Sequence, residues 1–466
     1  MKTKTTSAAS IHKVRRDVVG GKRGQGHRLQ RAGRKVCRPK AECISDGQPD
    51  PTLTGVGGLV AFGRFTRRYG IERELRRRFN DLKRGSGVVY PMAEQLRLLL
   101  DLAVVGEDRV LALEALAADR LFVHLAGGVI PSLDTMYRDL RRFDQPRLVG
   151  MEEMMATHGL SALPSSLRHV HVDLDTTVET LFGCQEGALP GPNPRYHGRN
   201  SYHPMLAVVA ETGTCIGAEL RPGDRGFGDA DVPTAMRWIA RLRGSISPQT
   251  LVTARMDAAG DCTELLENLD DASVRFIVKL RWSEALLGHA LVHECWNITN
   301  RDAFDNPTER VAVLPFARAE WSKRKVPFRV IALRSTERRS GQQLRIWDDP
   351  DESVQFYVTN DWLTPPEEIP FEYDGRAEIE PVTRDLKHSL GLGKVPSESF
   401  DANHAMFLIK LLAHNLLRRF ATETAPRLAY WRTPWVRRAL ILRPGRLLRS
   451  GRQWTLRLPP PALRIE

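Results

Sequence analysis

Apolar residues between positions 55 and 160 recur at intervals of three and four, the spacing of amphipathic helices. The segment PMAEQLRLLLDLAVVGEDRVLALEALAAD shows this spacing, with an interruption at Gly106. A further helix is predicted in IPSLDTMYRDLRRF, because Pro131 and Ser132 precede its first periodic residue as a helix start. Its polar face is basic and either reads a nucleic-acid groove or is solvated; it carries Arg138, Arg141 and Arg142.

The period changes to two near residue 168, where Val170, Val172 and Leu174 alternate with polar residues. Alternation of this kind predicts a half-buried strand. The segment 168–282 then gives three strands, a helix, a strand, a helix and a strand. That order predicts a mixed α/β fold of the RNase H-like type, with helices on both faces of the sheet.

Residues 166–282 are predicted to form the first part of the core and 361–425 its second part, which carries the Glu380 helix, with an insertion between them and an arm after them. Residues 283–360 alternate short β-type runs with charged turns, which predicts a β-rich insertion. Helical spacing returns within 361–425, first at 373–390 and then in FDANHAMFLIKLLAHNLLRRF. Residues 426–466 are rich in proline and arginine and are predicted to form a C-terminal arm that tracks a DNA backbone, packs on the core, or does both.

Charge is distributed unevenly along the 466 residues, whose net charge is +13. Residues 1–50 carry +9 and residues 416–466 carry +10, so the middle of the chain carries −6. Basic ends around an acidic middle are typical of a protein that binds a polyanion and also holds a carboxylate site. We predict a mostly disordered basic tail over 1–50 and a helical DNA-binding region over 51–165.

Two protein classes are excluded by the composition. No run of 18 apolar residues exists, so a membrane span is not expected, and the N-terminus has no apolar signal segment. The six cysteines are scattered, and the pair Cys37 and Cys43 has no partner pair that would complete a zinc site. We therefore expect reduced cysteines and a cytoplasmic location.

The segment YDGRAEIEPVTRDLK fits the pattern Y-x2-R-x3-E-x6-K at Tyr373, Arg376, Glu380 and Lys387. On one continuous helix, these four positions would fall within roughly a 60° arc. A carboxylate flanked by two cations and a phenol suits a surface that holds a metal and grips phosphates. The alternative is a solvated helix face stabilised by ion pairs.

Two-metal phosphoryl transfer needs about three carboxylates that converge from separate segments. Asp257 follows the fourth predicted core strand, and Glu380 lies on the later helix. The first strand offers both Asp173 and Asp175 on its polar side, and the alternation alone does not choose between them. The first and fourth strands are neighbours in an RNase H-like sheet, so these carboxylates can meet.

Taken together, these motifs resemble the DDE transposases of bacterial insertion sequences. The shared features are a strand-borne aspartate before Thr176 and Thr177, a second aspartate after the fourth strand, and the Y-x2-R-x3-E-x6-K segment. Further similarity lies in RYHGRNSYHPMLAVVAETG, LRPGDRG and GLGKVPSESFDANHAMFLIKLLAHNLLRRF. Over residues 55–460 the chain is similar to the insertion-sequence family numbered 1380.

The resemblance implies specific roles. Asp175, rather than Asp173, would join Asp257 and Glu380 as the catalytic, metal-binding triad, with two Mg²⁺ ions that Mn²⁺ can replace. The DNA phosphates would be held by Tyr373, Arg376 and Lys387. The expected partners are terminal inverted repeats and target DNA, bound by a homodimer that associates with the bacterial nucleoid when it acts.

Two positions depart from the expected pattern. Pro381 follows Glu380 directly, and proline is tolerated only in the first turn of a straight helix, so the helix is either kinked there or begins close to Glu380. Asp261 stands where the resemblance implies an aromatic residue.

Several other residues have open roles. An aromatic residue that stacks on a flipped base would be one of Trp296, Trp347 and Trp362, each of which is otherwise a packing residue. The histidines near polar motifs are expected to be structural or to contact phosphate; these are His197, His203 and His388.

These observations predict a DNA transposase that cleaves and transfers strands at terminal inverted repeats. Two alternatives stay open: a related nuclease that cuts DNA without strand transfer, and a transposase-derived DNA-binding protein that has lost catalysis.

Overall fold

The computed structural model describes residues 47–193, 196–324, 326–337 and 351–460. A compact unit begins at Pro51. Most of the predicted basic tail, together with Cys37, Cys43 and Trp347, lies outside the described residues.

The N-terminal part of the unit is helical, as its three-and-four spacing predicts. Its helices are α1 (Leu59–Arg68), α2 (Ile71–Phe79), α3 (Met92–Val105), α4 (Leu113–Leu116), α5 (Arg120–Leu125), α6 (Leu133–Leu140) and α7 (Gln145–Leu160). Gly106 ends α3 with a φ of 104°, a left-handed conformation that glycine adopts readily. The Ser132 side chain accepts a hydrogen bond from the Thr135 backbone and so caps α6.

A nine-stranded sheet forms the centre of the molecule, in the order β10-β11-β12-β13-β9-β8-β2-β6-β7. The core strands are β2 (His169–Thr176), β6 (Met205–Val209), β7 (Thr214–Glu219), β8 (Leu251–Met256) and β9 (Arg275–Lys279). Strands β2, β8 and β9 are parallel, whereas β6 is antiparallel to both β2 and β7. This topology is the RNase H-like fold that the strand and helix order predicts.

The insertion continues this sheet. Strand β13 (Asp351–Thr359) pairs antiparallel with β9, and the other insertion strands follow it outward. They are β12 (Arg329–Glu337), β11 (Pro307–Leu314) and β10 (Asn297–Arg301), with α10 (Glu284–Val292) before them. The part of the chain that connects β2 to β6 forms a separate small sheet of β3 (Glu179–Thr180), β4 (Leu189–Pro190) and β5 (Asn200–Tyr202).

Helices cover both faces of the sheet, and each face has its own hydrophobic cluster. On one face, α8 (Val232–Arg243) and α9 (Thr263–Asp271) pack over Val170, Val172 and Leu174 of β2. On the other face, residues of β6 and β7 share a cluster with α7 and with α13 (Phe400–Thr424). Helix α13 is buried along most of its length, including its polar residues Lys410, His414 and Asn415. The N-terminal helices belong to this second cluster.

The C-terminal arm packs on the rest of the unit and keeps many of its arginines exposed. It contains α14 (Thr433–Leu440) and the hairpin β14 (Gly445–Ser450) with β15 (Gln453–Arg457). Strand β14 pairs with β1 (Leu53–Thr54), which joins the two ends of the unit. Arg437 is buried and donates hydrogen bonds to backbone carbonyls of Ala103 and Val104.

Of the two alternatives for Pro381, the structure has a helix that begins close to Glu380, so the four positions of the pattern do not share one continuous helix. Helix α11 (Glu368–Asp374) ends before a 3₁₀ turn at Gly375–Glu378, and α12 (Ile379–Ser389) begins after it. Pro381 therefore lies in the first turn of α12, where its missing N–H costs no hydrogen bond. Tyr373 and Arg376 lie upstream of the helix that carries Glu380 and Lys387.

Among the residues that the structure describes, no helix has the length and apolar character to cross a membrane. The cysteines of the described ranges are free thiols: Cys184 and Cys295 are exposed, and Cys215 and Cys262 are buried.

Candidate active site

Asp175 and Asp257 lie side by side at the carboxyl ends of neighbouring parallel strands. Leu174 of β2 pairs with Met256 of β8, so the residues that follow them are level with each other. Parallel strands present their carboxyl ends at one edge of a sheet, and we call the ends of β2, β8 and β9 the carboxylate edge.

One guanidinium nitrogen reaches both carboxylates. Nη2 of Arg376 donates a hydrogen bond to Oδ1 of Asp175 at 2.8 Å and lies 4.0 Å from Oδ2 of Asp257. Arg376 arrives from the 3₁₀ turn between α11 and α12. The other oxygen of Asp257 accepts a hydrogen bond from the backbone of Ala259, so this residue also caps the turn that follows β8. Electrostatic attraction between Arg376 and the two aspartates therefore connects the α11–α12 turn to strands β2 and β8.

The electrostatics of Asp175 follow from its surroundings. Burial raises the pKa of Asp175 to about 6; Arg376 opposes this shift, and Asp257 adds to it. The side chain of Asp175 is 16% exposed and that of Asp257 is 41% exposed. A cation between these groups relieves the repulsion of two neighbouring carboxylates.

The other residues of the Y-x2-R-x3-E-x6-K pattern have different placements. Tyr373 is buried against the ring of Tyr357, with 4.9 Å between the ring centroids, and the Arg376 guanidinium lies near its hydroxyl. Burial raises the pKa of Tyr373 to about 12. Glu380 is the second residue of α12, four positions after Arg376. Lys387 donates a hydrogen bond to the carbonyl oxygen of Val178, at 3.1 Å, just beyond β2.

Asp173 lies inside the protein and is not at the carboxylate edge. It is fully buried, and both of its oxygens accept hydrogen bonds from Arg255 of β8, at 2.7 and 2.9 Å. A carboxylate occupied in this way is not free to bind a metal. The structure therefore distinguishes the two aspartates that alternation leaves equivalent.

Asp261, in the position where the resemblance implies an aromatic residue, has a structural role. It accepts two hydrogen bonds from Arg318, at 2.6 and 2.7 Å, and one from the backbone of Arg281. These contacts join the turn after Asp257 to β9 and the insertion.

The aromatic candidates lie at different places on the sheet. Trp362 follows β13, and since β13 is antiparallel to β9, this residue lies at the end opposite to the carboxylate edge. Trp296 is partly buried with the Arg334 guanidinium 4.7 Å from its ring centroid. Trp282, which is not among the predicted base-stacking residues, follows β9 at the carboxylate edge and is 61% exposed.

The predicted roles of the histidines and of the basic helix have the following structural context. His203 is buried, and burial lowers its pKa, whereas His197 and His388 are exposed. On α6 and just after it, Arg142 pairs with Asp139 at 2.9 Å, and Arg141 donates a hydrogen bond to Ser397.

A second polar cluster lies deeper along the same face of β2. His171 contacts Glu211 through Nδ1 at 2.7 Å and Glu372 of α11 through Nε2 at 3.0 Å. Ligand atoms of His169, His171 and Glu372 lie within 4.8 Å of one another, the spacing of a metal site. Because Arg275 binds both oxygens of Glu372, at 2.8 and 2.7 Å, we interpret this cluster as an ion-pair network.

Residues 40–462, nearly the whole chain, match the family described as transposase DDE domain group 1. The chain belongs to this DDE transposase family. The family assignment identifies a DNA transposase, an enzyme of metal-dependent DNA cleavage and strand transfer. Its divalent ions are expected at carboxylates, and the family name refers to two aspartates and one glutamate.

The structure of this chain is similar to that of a piggyBac transposase in a synaptic complex with hairpin DNA, with a TM-score of 0.44 and 12% sequence identity. The match covers 82% of this chain and 78% of the piggyBac chain. No curated protein matches the chain.

The donor set at the carboxylate edge fits a divalent ion. Mg²⁺ and Mn²⁺ prefer hard oxygen ligands, which Asp175 and Asp257 supply from adjacent strand ends. Both carboxylates already lie within reach of one positively charged nitrogen, so the position favours a cation. The sequence patterns do not single out Arg255, Glu372 or Gly375, which meet beside the turn that carries Arg376.

Proposed function

We propose that this DDE transposase acts on the terminal inverted repeats of an insertion sequence, cleaves the DNA there, and joins the freed 3′ hydroxyl to target DNA. The observation that carries the proposal is the meeting of Asp175 and Asp257 at the carboxylate edge, beside the turn that leads to Glu380. The resemblance to the insertion-sequence family numbered 1380, including its Y-x2-R-x3-E-x6-K pattern, supports inverted repeats as the substrate.

Asp175, Asp257 and Glu380 would hold two Mg²⁺ ions, or Mn²⁺ in their place. Such ions, when bound, activate the attacking oxygen and stabilise the leaving oxygen. The chain supplies two of these carboxylates, Asp175 and Asp257, at the ends of adjacent paired strands, which sets the spacing between them. The raised pKa of Asp175 reflects the cost of its charge, which a bound cation offsets.

Arg376 and Lys387 are suited to DNA phosphates. Both cations lie beside the end of β2, Arg376 at Asp175 and Lys387 at the carbonyl of Val178. A guanidinium can bind two phosphate oxygens at once, whereas an ammonium acts as a point charge. Tyr373 is buried, so we assign it to the support of Arg376 and no longer to direct contact with phosphate.

We further propose that a homodimer acts on the DNA, because the two ends of an element must be cut together. The assembly would work in the bacterial cytoplasm, on the nucleoid. The basic C-terminal arm would add contacts to the DNA backbone, since many of its arginines are exposed.

A joining assay tests the proposal. The purified protein is incubated with a supercoiled plasmid that carries the coding sequence with its flanking genomic DNA, a second plasmid as target, and either Mg²⁺ or EDTA. We expect nicked donor and joined donor–target molecules with Mg²⁺ alone. Nicking without joined products would identify a nuclease, and binding without metal-dependent nicking would identify a non-catalytic DNA-binding protein; either result contradicts the proposal.

A further inference from the structure

Arg255 contacts two parts of the molecule at once. Its Nε and Nη2 atoms bind the two oxygens of Asp173 on the neighbouring strand β2, at 2.7 and 2.9 Å. Its Nη1 atom donates a hydrogen bond to the backbone carbonyl of Glu372 in α11, at 2.8 Å. The paired forks of a guanidinium and a carboxylate fix orientation as well as distance. Arg255 therefore holds α11 at a set height above the sheet.

Gly375 lets the chain approach this guanidinium. A Cβ atom on Gly375 would lie 2.8 Å from Nη1 of Arg255, closer than van der Waals contact allows. The backbone of Gly375 has a φ of −56°, which alanine adopts equally well, so the contact and not the conformation requires glycine. The end of a free arginine would move aside, but this one is buried and held by three hydrogen bonds.

The turn that Arg255 holds continues directly into the candidate active site. Arg376 follows Gly375 and reaches Asp175, which lies two residues after Asp173 on β2. Glu380, near the start of α12, is four residues further along. The same two strands thus carry both aspartates of the site and, two residues earlier on each strand, the pair that seats the α11–α12 turn.

We propose that Arg255, oriented by Asp173 and accommodated by Gly375, is a positioning residue for catalysis. It fixes the end of α11 and the start of the following turn, residues 372–376, on the sheet. Arg376 and the start of the helix that carries Glu380 are thereby placed beside Asp175 and Asp257. The inference rests on the proposed function of these carboxylates. A buried ion pair adds little net stability compared with apolar packing, so geometry is its larger contribution.

Two substitutions separate this role from folding. Gly375→Ala leaves the ion pair in place and adds one methyl group between Arg255 and the turn. Arg255→Lys keeps a charge for Asp173 but cannot reach Asp173 and the Glu372 carbonyl with a fork. Gly288→Ala is the matched control, since a Cβ on Gly288 in α10 meets nothing within 4 Å. Asp175→Ala serves as the control for the catalytic site itself.

The measurements are the single-turnover nicking rate with Mg²⁺ at saturating DNA, the Kd for a linear fragment of the flanking DNA, and the Tm. The DNA is the same plasmid with flanking genomic sequence that tests the proposed function. Because a misplacement of about 1 Å can cost on the order of 10²-fold in rate, we expect that loss in Gly375→Ala and a smaller one in Arg255→Lys. Kd should change by less than about threefold, because the loss concerns geometry and not DNA affinity.

The outcomes are distinct. Nicking at the wild-type rate in Gly375→Ala overturns the positioning role, as does an equal loss of DNA binding and nicking. Failure of both variants to fold, while Gly288→Ala folds, would assign Arg255 to stability and also overturns the proposal. If Asp175→Ala still nicks, the proposed function fails instead, which keeps the two failures separate.

Discussion

The two faces of strand β2 have opposite chemistry although both are largely buried. One face carries Val170, Val172 and Leu174, which are 0% exposed and pack against α8 and α9. The other face carries four polar residues, His169, His171, Asp173 and Asp175. The two histidines and Asp175 contact α11 or the α11–α12 turn directly, and Asp173 is linked to α11 through Arg255. Neighbouring residues of one strand therefore serve different purposes.

The difference shows how stability and chemistry share one element. Burial of the apolar face is favourable without partners, because water is simply excluded. Each polar group on the other face needs a partner: Arg255 pairs with Asp173, Arg376 pairs with Asp175, and the carboxylates of Glu211 and Glu372 contact His171. At the carboxylate edge the pairing is loose, since Oδ2 of Asp257 lies 4.0 Å from Nη2 of Arg376. Exchange of a cation or a phosphate is easiest there.

The largest expected effect concerns the end of the polar face. Asp175→Ala or Glu380→Ala should lower the rate of DNA cleavage by at least about 10³-fold, roughly 4 kcal/mol of activation free energy. The reason is the loss of a carboxylate that would hold the metal. The single-turnover nicking rate with Mg²⁺ measures the effect, and DNA-end binding should be preserved.

A parallel test uses Asp257, the partner carboxylate. Its replacement by alanine should lower the cleavage rate by a comparable factor. Nearly wild-type cleavage by Asp175→Ala would contradict the assignment of the carboxylate edge as the active site.

A smaller effect is expected from the apolar face. Leu174→Ala should lower the free energy of unfolding by about 3 kcal/mol, because it leaves a cavity under α8 and α9. Urea denaturation measures this loss. Val129→Ala, at a residue that is 56% exposed, is the control and should change the free energy by less than about 0.5 kcal/mol. Equal losses in the two variants would contradict the comparison of faces.

The smallest expected effect distinguishes two histidines on the polar face. Burial, together with the nearby His171, lowers the pKa of His169 to about 4. Burial also opposes charge on His171, but the carboxylates of Glu211 and Glu372 raise its pKa above the ordinary value. The pKa values of the two side chains therefore shift in opposite directions although the residues are only two positions apart.

The sign of each pH dependence follows from these shifts. The stability linked to neutral His169 is present above about pH 6.5 and is lost as the pH falls towards 4. The stability from charged His171 is present below about pH 6.5 and is lost as the pH rises through its raised pKa. Urea denaturation at several pH values should show a flatter acid limb in His169→Gln. The cost of His171→Gln should shrink at high pH, and parallel curves for both variants would contradict this assignment.

Much of the fold follows from local patterns. The alternation of Val170, Val172 and Leu174 predicts β2, and the order of strands and helices predicts the RNase H-like sheet. The break between α11 and α12 also has a local cause, since Pro381 is accommodated in a first turn. This preference predicts a helix start close to Glu380 as one of two alternatives, and that alternative excludes the single-face arrangement of Tyr373 and Lys387.

The seating of the α11–α12 turn could not be predicted from any one segment. Arg255 lies two residues before Asp257 just as Asp173 lies two before Asp175, an opposite-charge match between two strands. This match becomes visible only once the strands are known to be parallel neighbours in that register. The need for glycine at position 375 depends in turn on the place of the Arg255 guanidinium.

Periodicity and short motifs are enough to predict the order of strands and helices along the chain, the family, and the residue types that can hold a metal and DNA, because each of these is a property of short segments. Alternation leaves Asp173 and Asp175 equivalent and the family resemblance favours Asp175, but the tertiary structure supplies the physical reason for the difference. Both side chains leave the same face of β2, but Arg255 stands opposite Asp173 and neutralises it, whereas Asp175 reaches the edge of the sheet. Burial and pairing are properties of what surrounds a residue, and residues from distant parts of the chain supply those surroundings.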